Sequence, residues 1–241
     1  MPWEEEEKSS FAGPMAIVEI ASFNTQSGII AREAGASRLE LCDNADLGGT
    51  TPPIEWLTKI RSRDGTDIDV PINVMIRPRG GDFVYTALEF DRMKDSITEF
   101  KSTSKVDGFV FGTLTAERTV DVDRTTELVS LAAPLPCTFH RAFDELEDLY
   151  QGLEDVIRCR IRTILTSGGE SNAVQGRKVL AQLVRQAGDR VVIMPGGGVR
   201  SMNLQLLHGD IQASAYHSSA LFQPNTVVNA EEVCRMRAIL L

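Results

Sequence analysis

The sequence predicts an α/β protein folded as one (β/α)8 barrel. Eight short apolar runs alternate with amphipathic stretches along the whole chain. A length of 241 residues suits one such barrel. No Pro/Gly/Ser-rich linker divides the chain, so no second domain is expected. An open doubly wound sheet is the alternative for the same alternation.

The elements follow in order. Residues 1–14 contain Glu4–Glu7 and lack the basic start and apolar core of a secretory leader. They are expected to form a flexible, solvated acidic tail, leaving residues 15–241 as the barrel domain. The apolar runs are Ile17–Phe23, Arg38–Cys42, Ile72–Arg77, Gly108–Gly112, Cys137–Arg141, Thr163–Ser167, Val191–Met194 and Ala213–Ser218. They are rich in Val, Ile, Leu and Phe and bounded by Gly, Pro, Asp or Asn, as buried parallel strands are. Helical patterns fill the gaps. Thr25–Ala34 has a Thr cap candidate and ends before Gly35. Ile54–Arg63 follows Pro52-Pro53, and proline suits a helix start. Glu89–Ser104, Arg124–Ala133, Leu146–Arg158, Ala173–Ala187, Met202–Leu207 and Glu231–Leu240 complete the set.

Composition narrows the function. Acidic residues outnumber basic ones by 34 to 25, for a formal charge of −9. That balance argues against nucleic acid as a partner. No run of about 18 apolar residues exists, so no membrane span is expected. None of the four cysteines sits in a CxxC pair or zinc spacing. Reduced thiols and a cytoplasmic location follow as expectations, with the nucleus left open. No nucleotide or flavin cofactor is indicated.

In a parallel barrel the loops that follow the strands share one rim. Strand alternation puts Glu40 with Cys42, Met75 with Arg77, and Thr138 with His140 on common faces. Cys137 has the opposite parity and reads as a core thiol. Cys159 and Cys234 read as structural, and His208 as solvated. Arg77 and Arg79 flank Pro78, and arginine suits bidentate binding of a carboxylate or phosphate. Arg77 could equally form a salt bridge to Glu19 or Glu40. His140 has Arg141 and Asp144 beside it, with His217 at another strand end. Gly196-Gly197-Gly198 follow one strand, Gly168-Gly169 another after Ser167, and Ser218-Ser219 a third. Exposed backbone N–H groups there form a candidate anion cradle. A small anionic or phosphorylated metabolite is therefore one expected ligand. It would be bound by Arg77, Arg79, Arg141, Ser167, Ser218 and these glycines. His140 would be general acid or base, Glu19 or Glu40 its counterpart, and Asp144 a further candidate.

Several motifs taken together resemble the CutC copper homeostasis family. They are Glu19, Gly35–Cys42, Gly48–Pro52, Met75–Phe83, Phe111-Gly112 with Leu114, Thr138–Asp144, Leu165–Gly168, Gly196–Val199 and His217–Ala220. The match covers residues 15–222. The resemblance implies a TIM barrel, copper(I) as ligand and self-association as a homo-oligomer. Soft copper(I) prefers thiolate and thioether donors, so Cys42 is the implied ligand. Met75, His140 or His217 could complete the site. A second cysteine that some members carry on the first strand is replaced here by Ala21.

Overall fold

The computed structural model describes residues 16–61, 70–222 and 226–241. The acidic tail and the end of the second expected helix lie outside the described residues.

All eight expected strands form. They are β1 (Ile17–Ser22), β2 (Arg38–Leu41), β3 (Ile72–Met75), β4 (Gly108–Phe111), β5 (Cys137–Phe139), β6 (Thr163–Thr166), β7 (Val192–Pro195) and β8 (Ala215–Ser218). The hydrogen-bonded order is β7-β6-β5-β4-β3-β2-β1-β8, all parallel. β7 and β8 lie side by side and bring the sheet to a nearly closed barrel. The helices are α1 (Thr25–Glu33), α2 (Ile54–Arg61), α3 (Ala87–Ser102), α4 (Val122–Ala132), α5 (Leu149–Arg158), α6 (Ala173–Ala187), α7 (Ser201–Ile211) and α8 (Ala230–Ile239).

Helix ends moved where capping side chains outweigh periodicity. Asn24, not Thr25, caps α1 by accepting the Ser27 N–H. Thr86 and Glu89 form a reciprocal capping box that starts α3 two residues early. Asp148 accepts the N–H groups of Tyr150 and Gln151, so α5 starts after a 3-10 turn at Arg141–Glu145. α7 runs on through Gly209 because Leu204, Leu207 and Ile211 form a buried stripe. It ends where Gln212 turns left-handed at φ 54°.

Alternation sorts the strands into two cores. Val18, Ile20, Leu39, Leu41, Val74, Phe109, Phe111 and Phe139 face outward and pack under the helices. Inside the barrel, Leu165, Met194 and Ala215 form a lower plug with Ile17 and Val192. Cys42, Met75 and Val110 form a second cluster with Phe23, at the ends of the strands. The interior is thus apolar at two levels and carries charge beside them. Among the described residues no helix is long and apolar enough to cross a membrane.

Candidate functional site

Parallel register assembles the interior charges. Glu19 is in register with Arg38 on one side and His217 on the other. Arg38 Nε donates to Glu19 Oε2 in a close ion pair. The His217 ring reaches Glu19 Oε1 through Nδ1 at 2.8 Å and Glu40 Oε2 through Nε2 at 3.5 Å. Burial alone would raise the Glu19 pKa, but Arg38 and His217 outweigh it and hold the group at about 2. Burial lifts Glu40 to about 7, and the charge of Glu19 adds to the shift. Burial would lower His217, yet Glu40 and Glu19 raise it overall. Glu19, Glu40 and His217 have the make-up of a hard-cation site. Here Arg38 and the His217 proton already supply the positive charge a metal ion would bring.

Above this cluster, at the strand ends, lies a cavity of about 100 Å³. Phe23, Glu40, Cys42, Met75, Arg77, Phe83, His140, Arg141, Leu165 and His217 are among the residues that line it. This is the rim where the strand-following loops converge. Cys42 and Met75 pack together, and a methyl on Gly49 would stand 3.6 Å from the Cys42 Sγ and 3.5 Å from the Met75 Cε. Burial pushes the Cys42 thiol well above its usual range, and Glu40 beside it adds to the rise.

His140 follows β5 at the start of the 3-10 turn. Its Nδ1 accepts the Ala142 N–H at 3.2 Å, so the neutral ring carries its proton on Nε2. Gly112 makes room for it, since a β-carbon there would lie 2.7 Å from the ring. Burial and the nearby charge of Arg77 push its pKa down to about 3. His140 is therefore a neutral N–H donor, and its Nε2 has no lone pair to bind a metal or take a proton. The two nitrogens of His217 are likewise committed to Glu19 and Glu40.

The arginines separate by role. Arg77 donates to the carbonyls of Leu47 (2.7 Å), Gly49 (3.1 Å) and Gly81 (2.6 Å). It makes neither of the expected salt bridges to Glu19 or Glu40, because Arg38 and His217 occupy those carboxylates. Arg79 points away from the cavity and is neutralised by Glu89 and Asp82. Arg141 lines the cavity while its guanidinium bonds Asp144 at 2.8 Å and Ser167 at 2.9 Å.

Asp144 ties two loops together. It accepts from the Thr166 hydroxyl at 2.5 Å, the Ser167 N–H at 2.9 Å and the Gly169 N–H at 3.1 Å. Its oxygens are spent on this anchoring. Asp144→Asn turns an acceptor into a donor facing these donors and is expected to cost about 2 kcal/mol. A lower midpoint in urea with an unchanged slope would show it. Gly168 and Gly169 sit on this anchor, and Gly197 lies under the Arg141 guanidinium at φ 82°. Gly198 stands beside Asn172 and Gly196 beside Leu165. Ser218 donates to the Val199 carbonyl and accepts from Arg200, so its hydroxyl is already bonded.

Cys137 and Cys159 are buried, whereas Cys234 is exposed. All four thiols are free. His208 is not solvated: it lies within α7, half-buried, with its Nδ1 3.1 Å from the Tyr216 hydroxyl. A larger cleft of about 420 Å³ opens at the opposite end, between the α6–β7 connection and the segment Gln212–Ser214 that leads into β8. Asp189 is the one ionisable residue among those lining it.

Sequence reasoning passed over Arg38 as the counter-charge of Glu19. The signal was present, since Arg38 shares a strand face with Glu40 by simple alternation. Phe83 and Arg200 were also missed. Phe83 touches both the Arg77 guanidinium, 4.6 Å from its ring centre, and the His140 ring at 4.8 Å, and Arg200 binds the two serines after β8.

The fold and site define a parallel-barrel protein whose mouth joins a buried thiol and thioether to an arginine and a neutral histidine. The chain belongs to the CutC family, whose model matches residues 16–221. A CutC family protein of Chromobacterium violaceum is 45% identical over 204 residues, covering 85% of this chain and 81% of the relative. The mouse protein named copper homeostasis protein cutC homolog is 40% identical, covering 87% of this chain and 75% of its own length. A crystal structure of a Streptococcus agalactiae CutC protein superposes with TM-score 0.79 at 30% identity, over 85% of this chain and 99% of that one. Phosphoribosyl anthranilate isomerase from Thermotoga maritima shares the fold alone. It gives TM-score 0.60 at 14% identity, over 92% of this chain and 97% of that one.

Proposed function

We propose that this protein is a copper homeostasis protein that takes up one copper(I) ion at the barrel mouth. The single observation behind this reading is the packed pair of Cys42 and Met75 on the cavity wall. A thiolate and a thioether are the donors soft copper(I) prefers, and copper(I) tolerates low coordination numbers. His140 and His217 are not needed as ligands and have no free lone pair to offer.

The environment of Cys42 sets the conditions. A buried thiolate alone is unfavourable, but a bound monocation cancels its charge. Binding therefore releases the thiol proton, and affinity is expected to rise up to about tenfold per pH unit. Anaerobic competition titration of the reduced protein at several pH values measures this directly. Cys42→Ala should weaken binding at least about a hundredfold, or 2.7 kcal/mol. Ala21 lines the same cavity, so Ala21→Cys should strengthen binding at least about tenfold by supplying a second thiol. Stoichiometric binding that ignores both changes and pH would sink the reading.

A further inference from the structure

The same cavity also presents groups suited to a different ligand. Seven buried side-chain polar atoms in the described residues lack a hydrogen-bond partner, and three of them belong to residues lining this one cavity. They are Nε of Arg77, Nε2 of His140 and Oε1 of Glu40. Buried polar groups are ordinarily satisfied, so three orphans on residues that line one cavity point to a ligand there. Two are donors. The third sits beside the Cys42 thiol and can pair with a hydroxyl.

Charge narrows the ligand. Arg77 is buried, its guanidinium bonds three neutral carbonyls, and no carboxylate pairs with it among the described residues. A buried cation without a counter-ion is costly, so this wall favours an anion. Glu40 on the same cavity, with Glu19 behind it, opposes a second negative charge. Size narrows it further. About 100 Å³ gives room for roughly seven to ten water-sized atoms. Phe23, Met75, Phe83 and Leu165 supply apolar wall for a short carbon chain.

We propose that the barrel mouth binds the monoanion of a small α-hydroxy carboxylic acid, its carboxylate on Arg77 and His140 and its hydroxyl on Glu40. The site uses Arg77, His140 and Glu40 and neither sulfur atom, so it does not rest on the copper reading. His140 suits the role because its neutral ring presents a fixed N–H.

The test is a titration of the full-length, reduced, metal-free protein with glycolate. ¹⁵N-histidine labelling follows the His140 ring, assigned by the loss of its signals in His140→Phe. Glycolate should bind saturably and move the His140 Nε2–H resonance. Acetate, lacking the hydroxyl, should bind about tenfold more weakly, and so should glycolate to His140→Phe. Neutral glycolamide should not bind. No saturable glycolate binding below about 10 mM overturns the proposal, a limit that corresponds to weak millimolar affinity. So does binding that leaves the His140 resonance in place, or acetate, glycolamide or inorganic phosphate binding as tightly as glycolate. Copper is absent throughout, so failure here leaves the copper reading to its own titration.

Discussion

Glu19→Gln is expected to lower stability by about 3–5 kcal/mol at neutral pH, and the melting temperature by about 10 °C. Glu19 is fully buried and faces Arg38 and His217. Neutralising it leaves two positive groups facing each other across the barrel interior. Breaking a buried pair costs more than the pair's net worth, because the remaining charge stays dehydrated. The pKa displacement points to a similar size. A carboxyl held at about 2 against an ordinary 4.5 corresponds to about 3 kcal/mol of linkage.

The sign sets the pH window. Because the folded value lies below the unfolded one, the stabilisation is complete above about pH 4.5 and disappears as pH falls toward 2. His217 acts the other way. Its folded value lies above 6.5, so its contribution is complete below that pH and fades as pH rises through the folded value. Stability of wild type and Glu19→Gln measured from pH 3 to 8 should draw closer toward the acid end. Arg38→Gln added to Glu19→Gln should cost less than the two separate losses summed, since the pair shares one interaction. Parallel curves for wild type and variant would remove Glu19 as the organising charge.

Gly176→Ala is expected to destabilise by about 3 kcal/mol, although glycine to alanine inside a helix normally stabilises by about 0.5–1 kcal/mol. Gly176 lies in α6 against the loop that follows β6. A β-carbon there would press far inside van der Waals contact with the Ser167 carbonyl oxygen, and stand 3.3 Å from the Gly168 Cα. Those neighbours are backbone, so no rotamer change relieves the clash. The helix or the loop must move instead. The contact is reciprocal, since a β-carbon on Gly168 would meet the Gly176 carbonyl at 2.9 Å.

Displacing this loop would also break the Asp144 anchor and loosen Arg141 over Gly197. The variant should therefore weaken ligand binding at the mouth as well. Gly209→Ala is the matched control. It lies in α7 with nothing within 4 Å of its β-carbon position, and should gain about 0.5–1 kcal/mol. Denaturant midpoints of the two variants should move in opposite directions. A gain in both would show that α6 has slack against the barrel.

Much of the fold was legible because its signals are local. Buried parallel strands need continuous apolar runs, and those runs were countable. Strand alternation put Glu40, Cys42, Met75, Arg77 and His140 on interior faces, and all five line the mouth. Helix ends were less legible, because Asn24, Asp148 and the Thr86–Glu89 box act through single hydrogen bonds that periodicity does not register.

What the sequence determined by itself was the barrel, its polar rim and the residues that meet there. Only the tertiary structure decided how those residues divide the work. Arg77 and Glu19 both read as charges seeking a partner. Register placed Arg38 and His217 on either side of Glu19, and left Arg77 among loop carbonyls. His140 read as a general acid or base, and only the backbone N–H of Ala142 on its Nδ1 assigned the ring proton to Nε2. Partner choice depends on distances of a few ångströms between chain segments far apart in sequence, and those distances exist only once the barrel closes.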